Sequence, residues 1–214
     1  MNLHIPKTDD FDLDGAGTTA NWNAAEWQTL QRTGGSADYA TRSKVLYSET
    51  GMYFLLDCRD RRLTCTMTED ASQIFREDVV EVFLRPDLTR DLYFEYELSP
   101  MNVELVLVIP NVGGRFFGWL PWQYEGERRT RRATSAYGGQ KDFNAPVEGW
   151  TAEFFIPFKL LHPLIEAPPS TGDEWTGNVY RIDYDAGEPT HWALSPEVGT
   201  NFHNFHHYGR LIFD

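Results

Sequence analysis

Hydrophobic positions recur along most of the chain with the period of two that is typical of β-strands. In the segment 92–98 (LYFEYEL), large apolar residues alternate with Tyr93, Glu95 and Glu97. The same alternation, or a run of β-branched residues, predicts strands at Lys44–Tyr47, Met52–Cys58, Val79–Leu84, Leu92–Leu98, Val103–Ile109, Trp150–Ile156, Val179–Tyr184 and Tyr208–Phe213. Many short strands separated by turn residues predict an all-β fold, an antiparallel β-sandwich of the immunoglobulin or jelly-roll kind.

Turn and helix signals are short. Ser48–Gly51 predicts a hairpin loop in which Gly51 supplies a positive φ. Only Ala24–Leu30 and Pro157–Leu164 predict helix, one or two turns each, and the second begins at a proline. Because no repeat, low-complexity run or clear linker interrupts the pattern, residues 1–214 are predicted to form a single domain.

The strand alternation also predicts where the charged side chains point. Acidic residues occupy the less apolar face of their strands, as does Arg181; these acids are Glu81, Glu95, Glu97, Glu153 and Asp183. If the strands share one sheet, these side chains form one surface with aromatic residues. That surface is either a solvated outer face or a ligand groove. Carboxylates accept hydrogen bonds from vicinal hydroxyl groups and arginine donates to them, which suits a sugar.

The charge of the chain restricts its partners. Its 214 residues include 19 Lys and Arg against 32 Asp and Glu, a formal net charge of −13. A protein this acidic has no long-range attraction for nucleic acid or for anionic lipid. No stretch approaches the roughly 18 apolar residues of a membrane span. Seven tryptophans are more than a sandwich core of this size needs, which leaves some for a binding surface.

The sequence carries no clear signal of the cellular compartment in which the protein works. The opening sequence MNLHIPKTDDFDLDG has neither a basic nor an apolar signal region, which indicates a cytoplasmic protein or an exported one whose signal was removed. Cys58 and Cys65 are close enough in sequence to pair across neighbouring strands, but they are more typical of two packed thiols.

Several motifs, in order and spacing, resemble those of the family 9 carbohydrate-binding modules and their DOMON-like relatives. These are DLDGAGTTANWNAAEW, KVLYSETGMYFLLDCRD, IFREDVVEVFLRPD, LYFEYELSP, GWTAEFFIPF, GNVYRIDY with HWALSP, and NFHNFHHYGRLIF. The most specific is IFREDVVEVFLRPD, which combines an acidic pair, a hydrophobic strand and a terminal Asp. The resemblance implies a β-sandwich that holds the end of a saccharide between two aromatic rings, without catalysis, in polysaccharide metabolism.

Carried onto this chain, the resemblance places the first ring at Phe75, where the family usually has a tryptophan, and the hydrogen-bonding acid at Glu81. The second ring falls at Trp192 or Phe202, and His203 lies in the closing motif beside them. The resemblance also allows structural calcium, although no cofactor is expected to be required. Oxygen ligands suit calcium. Two groups of carboxylates are candidates: Asp57, Asp60 and Asp78 near strand ends, and the run Asp9, Asp10, Asp12 and Asp14. The alternative interpretation of that run is a solvated acidic loop.

One segment is locally basic. Arg115–Arg132 holds five arginines together with Trp119, Trp122 and three other aromatic residues. It is either a loop that reaches over the binding face, with a tryptophan stacking on the ligand and Arg115 donating to it, or a partly exposed hairpin whose arginines pair with the acidic body. Binding of nucleic acid through this patch conflicts with the overall charge.

Three other chemistries compete with sugar binding. Glu95 and Glu97, about 7 Å apart along the strand, have a spacing suited to a glycan-cleaving enzyme. A haem-binding relative in electron transfer would need an axial ligand, for which Met101 and His203 are the candidates. A metal site is the third alternative. It would combine His203, His206 and His207 with Glu197 or Asp214, although the spacing of these residues matches no known metal-binding motif.

The sequence therefore predicts non-catalytic binding of a mono- or oligosaccharide on one sheet face. The predicted ligand-binding residues are Phe75, Glu81, Glu95, Arg115, Trp119, Trp192, Phe202 and His203.

Overall fold

The computed structural model describes residues 1–214, and β-strands supply nearly all of their regular structure. The strands are β1 (Asn2–Ile5), β2 (Gln28–Thr29), β3 (Gln31–Gly34), β4 (Thr41–Tyr47), β5 (Gly51–Arg59), β6 (Val79–Arg85), β7 (Leu92–Leu98), β8 (Glu104–Val112), β9 (Arg115–Phe116), β10 (Leu120–Pro121), β11 (Arg131–Tyr137), β12 (Gly149–Pro157), β13 (Glu174–Asp183), β14 (Thr190–Ala193) and β15 (Gly209–Phe213). Helical structure is limited to short 3-10 turns at Ala20–Ala24, Ile74–Arg76, Gly126–Arg128, Phe158–Leu161, Pro196–Val198 and Phe205–His207.

The strands form two sheets. The larger sheet has the order β1-β15-β13-β6-β7-β8-β10, with β14 pairing with β13 and β3, and β9 pairing with β8. The smaller sheet has the order β11-β12-β5-β4-β2. Neighbouring strands are antiparallel except for β1 and β15, which are parallel. The predicted all-β sandwich is confirmed.

The main core lies between the two sheets. It includes the inward residues of β6 and β7, such as Val82 and Phe94, and of the smaller sheet, such as Phe54 and Phe154, whose rings stack at 5.1 Å. A second apolar cluster covers the opposite, outer face of the larger sheet and contains Phe83. This face is buried rather than solvated, because loops after β8 and β14 fold over it.

The eight predicted strands are present with small shifts at their ends, and β7 has the predicted bounds. The predicted helix at Ala24–Leu30 is wrong: the 3-10 turn ends at Ala24 and Gln28–Thr29 pairs with β4. Pro157–Leu164 forms only a 3-10 turn. The role predicted for Gly51 is also wrong. Its φ is not positive; a Cβ there would lie 2.4 Å from the carbonyl oxygen of Ile156, so glycine is required by the close approach of β12.

The predicted common surface of acids is only partly correct. Glu81, Glu95 and Glu97 do share the outer face of the larger sheet, since β6 and β7 are neighbours. Arg181 and Asp183 instead point toward the smaller sheet, where the arginine reaches Asp60 and the backbone of Arg59. These polar side chains point inward because they satisfy one another.

Glu153 belongs to the smaller sheet and faces away from the larger one. Its carboxylate accepts hydrogen bonds from the indole of Trp22 (2.7 Å) and the amides of Asp14 (2.8 Å) and Gly15 (2.6 Å). It therefore anchors the segment before β2 and has no part in the surface formed by Glu81, Glu95 and Glu97.

Cys58 and Cys65 are both buried and free, as the packed-thiol interpretation predicted. Burial raises the pKa of both thiols, so they remain protonated. None of the helical segments has the length and hydrophobicity needed to cross a membrane.

Candidate functional site

A cavity of about 340 Å³ lies on the outer face of the larger sheet. Its floor consists of outward side chains of β6, β7 and β8, and its walls come from two loops that are distant in sequence. We call residues 113–121 the aromatic loop and residues 199–207 the histidine loop. The lining residues are Phe75, Glu81, Phe83, Glu95, Glu97, Leu107, Ile109, Phe116, Trp119, Ile182, Tyr184, His191, Thr200, Asn201, Phe202 and His203.

Three carboxyl groups meet on the floor of this cavity. Glu81 and Glu97 are directly opposite each other on β6 and β7, and Glu95 is opposite Phe83 two pairs further along. Period-two alternation places Glu95 and Glu97 on the same side of β7. The three side chains are at most 4% exposed. The inward face of the same two strands is hydrophobic and carries no charge, so the acids are confined to the outer face.

The carboxyl oxygens of the floor are not satisfied by the protein. Glu95 Oε2 and both side-chain oxygens of Glu97 are buried and have no hydrogen-bond partner. A buried polar group without a partner is costly, and native proteins contain few of them. Three such oxygens line one cavity, where they are available to hydrogen-bond donors.

Burial dominates the electrostatics of these acids. It raises the pKa of Glu95 to about 7, and it raises the pKa of Glu81 and of Glu97 well above their usual range, with the neighbouring carboxylates adding to the effect. Protonated carboxyls can donate as well as accept hydrogen bonds. Near neutral pH the floor therefore offers both kinds of hydrogen-bonding group.

Aromatic rings form the walls of the cavity. Phe75 and Trp119 meet edge to face with their ring centroids 5.9 Å apart. Phe116 stacks on the imidazole of His203 at 4.2 Å. Trp119 is 43% exposed, so it stands at the rim, whereas the other six tryptophans do not line the cavity.

Of the two interpretations of this basic, aromatic segment, the loop over the sheet face agrees with the position of Trp119. The other interpretation agrees with Arg131 and Arg132, which pair with acids of the body.

His203 is held in place as a neutral side chain. Its Nδ1 lies 2.6 Å from the hydroxyl of Tyr93, and its ring also stacks on Phe83 at 5.5 Å. Burial lowers the pKa of His203 to about 4. Its Nδ1 is 3.9 Å from Glu95 Oε2, but because the imidazole is neutral this contact is not an ion pair.

Six of the eight residues predicted to bind a ligand line this cavity: Phe75, Glu81, Glu95, Trp119, Phe202 and His203. Phe202 is largely buried, and one face of its ring is covered by Tyr180 at 3.9 Å. It can therefore offer only an edge or its other face to a ligand.

The remaining two predicted residues lie elsewhere. Trp192 is in the core between the sheets, where the guanidinium of Arg181 lies 5.0 Å from its ring. Successive side chains of a strand point to opposite faces, so Trp192 points away from the cavity and its neighbour His191 points into it. Arg115 is exposed and lies over the ring of Phe117 at 5.1 Å, outside the cavity lining. Trp122 donates to the carbonyl of Leu160 and packs on the main core.

Sequence reasoning missed several lining residues as ligand contacts, among them Glu97, Phe83, Phe116 and His191. Alternation along β6 and β7 already places Phe83 and Glu97 on the face of Glu81, so that signal was present in the sequence. His191 had no usable signal, because the register of the four-residue strand β14 depends on its pairing with β13.

The acids that could hold calcium lie at another position. Asp60, Asp78, Asp183 and Asp185 form the one group of four carboxylates that converge, with oxygens within 4.8 Å of one another. The three histidines of the histidine loop form no such group. Hard oxygen donors suit calcium, but here Arg181 already supplies positive charge. All eight oxygens accept hydrogen bonds, from Arg61, Arg62, Trp150, Arg181, Thr64, Tyr184, Asp185 and Tyr39. The group is therefore satisfied without a cation.

Known proteins share sequence features with part of this chain. Residues 13–106 match the family model described as carbohydrate family 9 binding domain-like. The chain resembles the family 9 carbohydrate-binding modules. The match contains β6 and β7 with the three acids of the cavity floor, and the aromatic and histidine loops lie beyond it. The resemblance predicted from the sequence motifs is thus confirmed.

Solved structures share the fold. A protein of Bacteroides uniformis ATCC 8492, described as a candidate carbohydrate-binding protein, has a TM-score of 0.79 at 16% identity, covering 100% of this chain and 99% of its own. A family 9 module of Caldicellulosiruptor kristjanssonii in complex with cellotriose has a TM-score of 0.70 at 13% identity, covering 99% and 94%. A family 9 module of the same organism in complex with glucose has a TM-score of 0.68 at 15% identity, covering 99% and 96%. No curated protein shows significant sequence similarity to the chain.

Proposed function

We propose that residues 1–214 form a single carbohydrate-binding domain that holds part of a saccharide in the cavity without cleaving it. The observation that carries this proposal is the floor of the cavity, where buried oxygens of Glu95 and Glu97 have no protein partner. A saccharide supplies several hydroxyl donors within a few ångströms of one another. Its hydroxyls match a cluster of closely spaced carboxyl acceptors better than a ligand with a single polar group does.

The walls suit the rest of a sugar ring. A pyranose presents apolar C–H groups on its faces, and aromatic side chains cover such surfaces. Phe75 and Trp119 lie next to each other at the rim, and Phe116 continues this apolar wall beside His203. A volume of about 340 Å³ falls at the small end of the range for small-molecule sites. The cavity therefore fits a mono- or disaccharide unit better than a long chain lying along a groove.

The comparisons support the same proposal. The family model is that of a carbohydrate-binding domain, and two structures with the same fold contain cellotriose or glucose. Family 9 modules bind sugars and do not cleave them, which favours a binding function for this chain.

Glycan cleavage is disfavoured by the arrangement of the acids. The two carboxyl groups of a glycosidase flank the scissile bond so that one protonates the leaving oxygen while the other attacks or activates water. Here Glu81, Glu95 and Glu97 all rise from adjacent strands of one sheet surface. They approach a ligand from the same side, and no carboxylate lines the opposite wall.

The electron-transfer alternative is disfavoured by the separation of its two candidate ligands. Met101 packs against the core between the sheets, whereas His203 lies on the outer face of the larger sheet. These two side chains are not placed to bind one haem iron from opposite sides.

Replacement of Phe75 by alanine is expected to weaken saccharide binding by about fivefold or more, because loss of one aromatic anchor costs more than about 1 kcal/mol. Binding is measured by calorimetry with a panel of mono- and oligosaccharides, supported by tryptophan fluorescence, since Trp119 alone of the tryptophans lines the cavity.

The matched control is Phe117→Ala. Phe117 belongs to the aromatic loop, is 54% exposed and does not line the cavity, so its loss should leave affinity unchanged. Equal affinity of the Phe75→Ala variant and the unmodified protein would place the site elsewhere. Absence of binding to every sugar in the panel would refute the proposed function.

Calcium is not expected to be required for folding. Chelation with EGTA should leave the thermal midpoint of unfolding unchanged, because every oxygen of the group formed by Asp60, Asp78, Asp183 and Asp185 already accepts a hydrogen bond from the protein. The measurement is a thermal melt of metal-free protein with and without added calcium. A midpoint that rises with calcium in the range of a few degrees would show that a cation binds and stabilises the folded chain.

A further inference from the structure

The cavity is rich in acidic groups and has no basic partner for them. Its lining contains three glutamates and two histidines but neither lysine nor arginine. The guanidinium of Arg76 lies 5.8 Å from the ring centroid of Phe75 and donates to Gln73, and it pairs with none of the three glutamates. No basic side chain of the protein is therefore placed to neutralise these acids.

Other buried acids of this protein have partners within the protein. Asp60 and Asp183 are paired with Arg181, and Glu104 is paired with Arg132 at 2.5 Å. Glu153 has no cationic partner, but it accepts hydrogen bonds from an indole and two amides. Glu95 and Glu97 differ from these acids, because no cationic side chain pairs with them and three of their oxygens have no hydrogen-bond partner.

The walls add a second feature that points to a cation. A ligand cation is attracted to the faces of aromatic rings as well as to carboxylates. Phe75, Trp119, Phe116 and Tyr184 surround the space above the acids. Carboxylates at the base of an aromatic enclosure are the arrangement that recognises an ammonium group.

We infer that the preferred ligand is a saccharide that carries a protonated primary amine, an amino sugar, whose ammonium group lies against Glu95 and Glu97. The ammonium group would supply three donors and the positive charge that the cavity lacks. The sugar ring would then lie against the aromatic wall formed by Phe75 and Trp119. This inference rests on the proposed function and narrows its ligand class.

Binding of such a ligand is coupled to release of protons. Without ligand, the crowded and buried carboxyls retain protons near neutral pH; an ammonium group beside them favours the ionised form. The other titratable groups that face the cluster are His191 and His203 from β14 and the histidine loop, and Tyr93, Tyr180, Tyr184 and Tyr208 around its sides. Burial lowers the pKa of both histidines and raises that of the four tyrosines, so these groups stay neutral near pH 7 and leave the carboxyls as the source of protons.

The test is calorimetric titration of the intact chain with glucosamine, N-acetylglucosamine and glucose. These probes differ at one ring position, which carries an ammonium, an acetamide or a hydroxyl group. We expect glucosamine to bind at least about tenfold more tightly than the other two, because a hydrogen bond between charged groups is stronger than one between neutral groups. Titrations in buffers of different ionisation enthalpy should show net proton release with glucosamine and none with glucose.

Glu97→Gln is the decisive variant. Glutamine keeps the shape of the side chain and removes a buried group that resists ionisation, so the variant should fold. It should lose most of the preference for glucosamine over glucose, measured as the ratio of the two affinities. Glu166→Gln, a change at an exposed glutamate outside the cavity, should retain the full preference.

The outcomes separate this inference from the proposed function. Equal affinity for glucose and glucosamine would overturn the amine preference and leave carbohydrate binding intact. Absence of binding to all three sugars would overturn the amine preference, and absence of binding to the whole panel of mono- and oligosaccharides as well would overturn both. Affinity for ethanolamine equal to that for glucosamine would show that the sugar ring makes no contact and would overturn the amino-sugar assignment.

Discussion

Replacement of Arg181 by methionine is expected to lower the free energy of unfolding by about 3–5 kcal/mol at pH 7, because it leaves buried acids without their counter-charge. Arg181 Nη2 donates to Asp60 at 3.0 Å and to Asp183 at 2.7 Å. Its Nη1 donates to Thr41 at 3.1 Å and to the carbonyl of Arg59 at 2.6 Å. The side chains of Arg181, Asp60 and Asp183 are fully buried, so water cannot replace these contacts.

The loss of unfolding free energy in the Arg181→Met variant should depend on pH. Burial raises the pKa of both Asp60 and Asp183, and Arg181 opposes that rise. Without the arginine, the two acids take up protons more readily, and the deficit of the variant should shrink as the pH is lowered toward 5. Urea denaturation of both proteins at several pH values measures this difference.

Arg210→Met is the matched control. Arg210 pairs with Glu174 on the surface, and both side chains are about half exposed. An exposed pair is worth at most about 1 kcal/mol. A loss of similar size in the Arg181→Met and Arg210→Met variants would show that the buried network does not hold the sheets together.

The second large effect concerns pH and the cavity floor. The free energy of unfolding is expected to fall as the pH rises through the range from about 5 to 8, by about 2–3 kcal/mol from Glu95. Burial raises the pKa of Glu95 to about 7 in the folded protein, against 4.5 for an ordinary glutamate. Between these values the folded state holds a proton that the unfolded state releases, so raising the pH favours unfolding. Glu81 and Glu97 act in the same direction.

A histidine opposes part of this trend. Burial lowers the pKa of His203 to about 4, against 6.5 for an ordinary histidine, so in that interval the unfolded state holds the extra proton. His203 therefore makes stability rise with pH below about 6.5, and the fall caused by the carboxyls should be clearest above it.

The variant Glu95→Gln isolates the carboxyl contribution. It should be more stable than the unmodified protein at pH 8, with a difference that shrinks toward pH 5. Glu166→Gln, at an exposed position outside the cavity, is the control, and its stability should stay within about 0.5 kcal/mol of that of the unmodified protein. If the stability of Glu95→Gln followed that of the unmodified protein at every pH, Glu95 would have to titrate like an exposed glutamate, and the cavity floor would not be desolvated.

Much of the fold could be predicted from local sequence. The alternation in 79–84 and 92–98 fixes which side chains of β6 and β7 share a face, because successive side chains of a strand point to opposite sides. For this reason the pattern alone predicts that Glu81, Glu95 and Glu97 lie on one surface. The short motifs around these strands also identify the family resemblance, from which Phe75 and His203 follow.

Other assignments failed where local pattern and long-range contact disagree. Arg181 and Asp183 occupy the less apolar face of β13, yet that face points into the sandwich because Asp60 and Thr41 meet them there. The family resemblance offers Trp192 as one candidate for the second ring, but the pairing of β14 with β13 turns its side chain toward the core between the sheets. Gln28–Thr29 forms a strand because β4 offers it a partner, which overrides the helical pattern.

Local sequence is enough to predict most of the strands, which side chains share a face, the acidity and the family resemblance, because each follows from residues close together in the chain. Enclosure of the three glutamates is visible only in the folded chain. The aromatic and histidine loops, which come from distant parts of the chain, fold over β6 and β7 and exclude water from the carboxyl groups. This desolvation raises the pKa values and leaves the unpartnered oxygens. It depends on contacts between residues far apart in sequence, which strand periodicity does not encode.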